Sequence, residues 1–196
     1  MENNFQKGLT LIELMAVIAM IVIVTGIVFS NYGVGKNSMA LERAGQKLYQ
    51  DFRLAINTSM AGSTTYSGVG IYFDKSNSTA DRKYIIFKDI NGNRVYDSGV
   101  DLANTINIEE GVKICNFSKS ASVPNYDGDV TGNYYGVFFK SPYPTTFLNP
   151  RSGSGYETQG IFRTSQTLSV ELCMIDNASK KRTVVVNSSG MVNIIQ

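Results

Sequence analysis

Histidine is missing from all 196 residues, and so is tryptophan. The first absence removes the commonest general base, the usual partner of a nucleophilic serine and the commonest zinc ligand together. Hydrolytic chemistry of the familiar kinds is therefore disfavoured. The only two cysteines are Cys115 and Cys173. They are too few for a cysteine-rich zinc site and leave two readings open: buried free thiols, or one disulfide in an oxidising compartment. Proline is scarce, at four residues, and positions 142, 144 and 150 crowd into one loop-like stretch. Charge of one sign is lacking too. Eighteen Lys and Arg against 16 Asp and Glu give a net charge of +2, which implies neither a nucleic-acid surface nor an acidic substrate.

What is abundant is Gly (18), Tyr (11) and Phe (10), a composition suited to strands and turns. The length fits one domain with its own core plus an appendage. The appendage is the N-terminus. Residues 1–8, MENNFQKG, are short and polar with one lysine, Lys7, and are followed by an apolar run over residues 9–29. As a helix that run is roughly 32 Å long, enough for a hydrocarbon core of about 30 Å. Lys7 favours a cytoplasmic N-terminus. A general secretory signal would have a shorter apolar region and then Ala-x-Ala spacing, which does not follow here. A plain signal anchor leaves Glu13 unexplained, since a carboxylate in a spanning helix costs about 2.5–3.5 kcal/mol at mid-membrane. Something must compensate it.

The sequence Lys7-Gly8-Leu9-Thr10-Leu11-Ile12-Glu13 resembles the processing site of type IV prepilins and type II secretion pseudopilins. The resemblance implies a prepilin peptidase that cuts between Gly8 and Leu9 and methylates the new amine of Leu9. Leu9 departs from the phenylalanine usual at that position but keeps its apolar character. Glu13 then becomes the fifth mature residue. In lipid, its carboxylate can neutralise the terminal amine of a neighbouring subunit and so set axial register during assembly.

Beyond the membrane the helix is expected to continue. Gly33 and Gly35 predict a bend or melted turn. Leu41, Ala44, Leu48, Phe52, Ala55 and Ile56 recur at three- and four-residue spacing and predict an apolar stripe laid on a sheet. Ala61-Gly62-Ser63 is the expected stop. Alternation then predicts strands over residues 67–73, 83–88, 112–117, 136–140, 160–163, 169–175, 182–186 and 191–195. Asn187-Ser188-Ser189-Gly190 reads as the turn of a closing hairpin. The expected fold is α+β, a long N-terminal helix packed on antiparallel sheets, in three parts: leader 1–8, transmembrane helix 9–30 and periplasmic body 31–196.

Several clusters in the body carry two readings each. Asp89, Asn91, Asn93 and Asp97 are spaced like the start of a calcium loop. Against this, the twelfth position is Val100, and Gly92 falls two residues early. An ordinary Asn-Gly turn is the favoured reading. Alternation places Lys113 with Cys115, and Glu171 with Cys173, so neighbouring strands would permit both a Cys115–Cys173 disulfide and a Lys113–Glu171 pair. Lys180-Lys181-Arg182 is either a phosphate-contacting patch or a solvated turn, the latter favoured, which makes DNA an unfavoured partner. In the proline-rich stretch 141–155, Tyr143 and Phe147 are expected to cover a sheet edge rather than face a partner.

Residues 48–56, 84–97 and the closing Ser-Ser-Gly-Met191-Val-Asn-Ile are similar to the GspH/FimT group of minor pseudopilins and minor pilins. That resemblance implies a structural subunit, not an enzyme, in the periplasmic pseudopilus of a type II secretion system. The alternative is a FimT-like minor pilin of a type IV pilus with a role in DNA uptake. Implied partners are other pilins or pseudopilins, the prepilin peptidase, the inner-membrane assembly platform and the membrane itself. No cofactor is implied, with calcium the one candidate.

Overall fold

The computed structural model describes residues 10–119, 134–143, 145–148 and 167–195, except the side chains of 29–37, 119 and 134. One helix, α1, runs over Leu11–Met60. Its helical backbone continues through Gly33 and Gly35, so the expected melted turn is not formed. Two glycines cost a helix about 1 kcal/mol each relative to alanine, too little to break one this long. The chain divides into two units, Met1–Ser38 and Met39–Gln196.

Within the first unit, every large apolar side chain from Leu11 to Val28 is more than half exposed. Thr25 turns its hydroxyl back on the carbonyl of Ile21 at 2.6 Å, so this polar side chain donates to its own helix.

The second unit is the globular body. After Gly62, whose φ of +69° ends the helix as expected, the described residues form nine strands. They are β1 (Gly68–Asp74), β2 (Lys83–Asp89), β3 (Leu102–Asn107), β4 (Val112–Lys119), β5 (Tyr134–Lys140), β6 (Thr146–Leu148), β7 (Thr167–Met174), β8 (Lys181–Asn187) and β9 (Val192–Ile195). One sheet has the order β3-β2-β1-β5-β6 and the other β4-β7-β8-β9, with every pairing antiparallel. The α+β class is the one expected.

The stripe on α1 is buried as its spacing requires, with Leu48, Phe52 and Ala55 at most 1% exposed. It shares a single apolar core with Val69, Ile71 and Phe73 of β1, Val137 and Phe139 of β5, and Leu168, Val170 and Leu172 of β7. Polar ties fix the helix at its flanks. Arg182 of β8 reaches Glu42 at 2.6 Å, and Arg43 reaches Glu109 at 2.8 Å. The Gln46 amide and Arg182 hold the Glu42 carboxyl below its ordinary pKa. The Tyr84 hydroxyl donates to Asp51, which also pairs with Lys47. Burial first, then Asp51, pushes the Tyr84 pKa far above its ordinary value. The raised value means that this contribution is complete below about pH 10 and is lost at higher pH.

The outer face of the first sheet has its own packing. Gly70 of β1 lies opposite Phe87 on one side and Phe138 on the other. A Cβ at Gly70 would sit 2.3 Å from the Phe87 ring, and one at Gly68 would sit 2.5 Å from that of Phe138. The glycines thus leave the gap in which Phe87 and Phe138 stack, their centroids 6.3 Å apart.

Two strands differ from expectation. β3 is an edge strand whose residues are almost all exposed, so no apolar alternation marks it. β6 is three residues long inside the proline-rich stretch, where turn residues mask it. The strand expected over 160–163 lies outside the described residues. Gly70→Ala is expected to destabilise the body by about 1–3 kcal/mol through ring displacement, read as a lower midpoint in urea unfolding.

Candidate assembly site and neighbouring motifs

The start of α1 is organised around two side chains. Thr10 immediately precedes the helix, and its carbonyl accepts the first helical bond, from the Leu14 amide at 3.2 Å. The Glu13 Oε2 atom accepts from the Thr10 amide at 2.9 Å and from the Thr10 hydroxyl at 3.0 Å. In return the Glu13 amide donates to the Thr10 hydroxyl at 3.4 Å, a long contact. This is a capping box, in which the N-cap residue and the residue three positions on satisfy each other's unpaired donors. Glu13 is the only charged residue between Leu11 and Val28, a segment long and apolar enough to cross a membrane. Gly8 and Leu9 lie outside the described residues. Thr10 is a site residue that the processing motif obscures, although Thr-x-x-Glu ahead of an apolar run is itself a cap signature.

At the end of β2, where the following loop begins, Asp89 is fully buried. Its carboxylate accepts from the Ser67 hydroxyl at 2.6 Å and from the amides of Gly92 and Arg94 at 2.8 and 2.9 Å. Asp97 accepts from the side-chain amides of both Asn91 and Asn93. Asp101, absent from the expected set, accepts from the amides of Ile90 and Asp97 at 3.1 and 2.8 Å. The four expected residues are thus brought together and their carboxylates are engaged by N–H and O–H groups. Among the described residues no group of three or more acidic, Cys or His side chains is arranged to hold a metal. The loop also seats Tyr96 against Phe87 and Tyr72, and the Arg94 guanidinium over the Phe147 ring at 4.6 Å. It covers the aromatic face of the first sheet.

Cys115 and Cys173 lie on adjacent strands, β4 and β7, with Cα atoms 5.8 Å apart and sulfurs joined. The expected Lys113–Glu171 pair does not form. In an antiparallel pair, moving forward on one strand moves backward on the other, so both pairings cannot hold together. Lys113 stands opposite Cys173, Cys115 occupies a bulge, and Glu171 stands opposite Asn116. Glu171 pairs instead with Lys181 of β8, at 3.1 Å.

That contact also bears on the basic cluster. Lys181 and Arg182 each face a carboxylate, Glu171 and Glu42, which leaves Lys180 at the turn as the cluster's remaining charge. Tyr143 and Phe147 part company. Phe147 packs on Phe138 as an edge-strand residue, whereas Tyr143 is 82% exposed, so the expected covering role does not hold for it among the described residues.

The family model of the prokaryotic N-terminal methylation motif matches residues 3–29. No curated protein and no solved structure matches the chain. The motif supports a type IV pilin-like protein, and the exposed apolar segment Leu11–Val28 is consistent with a membrane anchor.

Three outcomes follow from the loop and the cysteines. Asp89→Ala is expected to cost about 2 kcal/mol, because three partly buried hydrogen bonds lose their acceptor. The thermal midpoint is expected to be the same in EGTA and in millimolar calcium, and a rise with calcium would show the carboxylates trading N–H groups for the ion. Reducing the Cys115–Cys173 bond is expected to lower stability by about 4 kcal/mol for a closed loop of this size, read by unfolding with and without reductant.

Proposed function

We propose that the chain is a minor pseudopilin of the GspH/FimT group, a structural subunit of the periplasmic pseudopilus of a type II secretion system. The observation that carries this reading is the methylation motif over residues 3–29, which takes in an exposed apolar segment, Leu11–Val28, whose one charge is Glu13. An apolar surface of that extent needs lipid before assembly and neighbouring helices afterwards. On this reading the peptidase cuts between Gly8 and Leu9 and methylates Leu9. Glu13 then neutralises the amine of an adjacent subunit. The body lies on the periplasmic side of the inner membrane, where an oxidising environment forms the Cys115–Cys173 bond. The chain catalyses no reaction; it is itself a substrate for processing and a part for assembly.

A minor pilin of a type IV pilus would use the same N-terminal chemistry. Its DNA-binding version draws little support from Lys180, Lys181 and Arg182, two of which are already matched by carboxylates. Loss of protein secretion, with twitching and DNA uptake retained, is the deletion phenotype expected of the pseudopilin.

Coexpression with an active prepilin peptidase should yield a mature chain beginning at Leu9 and one methyl group heavier than the unmodified fragment, as read by mass spectrometry. A precursor that stays intact overturns the reading. Glu13→Ala should insert and be cut normally yet fail to enter filaments, as measured by subunit cross-linking. Normal incorporation would remove Glu13 from the assembly step.

A further inference from the structure

We propose that the body takes up an extended peptide by strand addition at β3, with an apolar side chain and a carboxylate of that peptide seated in the groove beside the strand. The site lies within the globular unit and uses no residue before Leu54.

The edge itself is the first basis. In the order β3-β2-β1-β5-β6, β3 has a bonded neighbour on one side only, so a row of its N–H and C=O groups faces outward. Sheets blunt such edges with charge, proline, a bulge or brevity. β4 has Lys113, Lys119 and the bulge at Cys115, while β6 stops after three residues and β9 after four. β3 has none of these protections. Its six residues hold no charge and no proline, almost all are exposed, and their pairing with β2 runs in unbroken register.

The second basis is a groove along the inner face of the same strand. It encloses about 400 Å³ and is lined by Leu54 and Ala55 of α1, Ile86 and Lys88 of β2, and Leu102 and Asn104 of β3. Leu54 and Leu102 are 57% and 59% exposed, so the apolar lining is open to a ligand. Leu102 stands opposite Lys88, and Asn104 opposite Ile86. An added strand would therefore lay every second side chain over the groove, one in the row of Ile86 and the next in the row of Lys88.

Charge selects the chemistry of the occupant. Lys88 is the one charged residue of the lining; its ammonium sits over the Tyr66 ring at 5.2 Å and makes no ion pair among the described residues. The added strand would run two strand spacings from β2, roughly 10 Å, a gap that lysine and glutamate side chains span together. An apolar residue and a glutamate two positions apart thus match the groove, and the ladder supplies affinity that does not depend on sequence.

The test uses the full chain in lipid nanodiscs. The probe is a fluorescent seven-residue peptide in which valine and threonine alternate and glutamate replaces the third valine. Anisotropy is expected to show saturable binding, weakened at least about tenfold when alternate peptide amides are N-methylated and cannot join a ladder. Hydrogen exchange of the β3 amides should slow on the order of tenfold with peptide bound, while that of β9 stays unchanged. Lys88→Glu should weaken this peptide and favour one with lysine in place of glutamate, a rescue that a merely damaged fold would not give.

Absent binding overturns the proposal. So does equal binding of the methylated peptide, which is apolar capture without strand addition, or slowed exchange at β9 in place of β3. Protection of β3 that rises with chain concentration before any peptide is added gives the edge to a second copy, and overturns the peptide assignment.

Discussion

Hydrocarbon offers no hydrogen-bond partner, and the apolar segment Leu11–Val28 fits that constraint. A helix is the form that satisfies its own backbone, which is why residues 11–28 can be apolar almost without interruption. The exceptions prove instructive. Thr25 bonds to its own carbonyl at Ile21, and Thr10 and Glu13 bond to each other. Every polar side chain described in this stretch is answered locally, which suits a segment surrounded by lipid.

The body solves a different problem. A single helix cannot bury a stripe without a sheet to lie on, and the two sheets here share one core with it. The outer face of the first sheet would be left bare, yet it is covered by Phe87, Phe138 and Tyr96 together with the loop that Asp89 organises. Asp89 therefore acts through structure. Its three donors come from β1's approach and from the loop itself, so it fixes where the loop leaves the sheet. The hydrogen bonds that gather Asp89, Asn91, Asn93 and Asp97 also aim an aromatic lid.

Legibility in the sequence followed the locality of the cause. The helix stripe, the stop at Gly62 and the hairpin at Asn187 depend on neighbours within a turn, and the chain displays them openly. β3 depends on β2 for its pairing and carries no apolar alternation, so nothing local announces it. Asp101 closes a loop begun twelve residues earlier, beyond any short motif. The cysteines were legible as partners on adjacent strands, but the charge pair beside them was not, because strand direction and a bulge set register across 58 residues of separation. At the N-terminus Thr10 and Glu13 were visible as letters of one motif, and only geometry shows that they also touch.

The Cys115–Cys173 link joins two neighbouring strands of one sheet, while the chain between them crosses to the other sheet to build β5 and β6 and then returns. With the link closed, that excursion is a covalent ring. A tensile load entering through the N-terminal helix and leaving through β9 bypasses the ring altogether. Separated by 58 positions, the enclosed residues amount to about 200 Å of contour that stays out of reach of an extending force. A subunit so built yields mechanically from its two ends and retains, at its centre, a segment that pulling alone does not unravel.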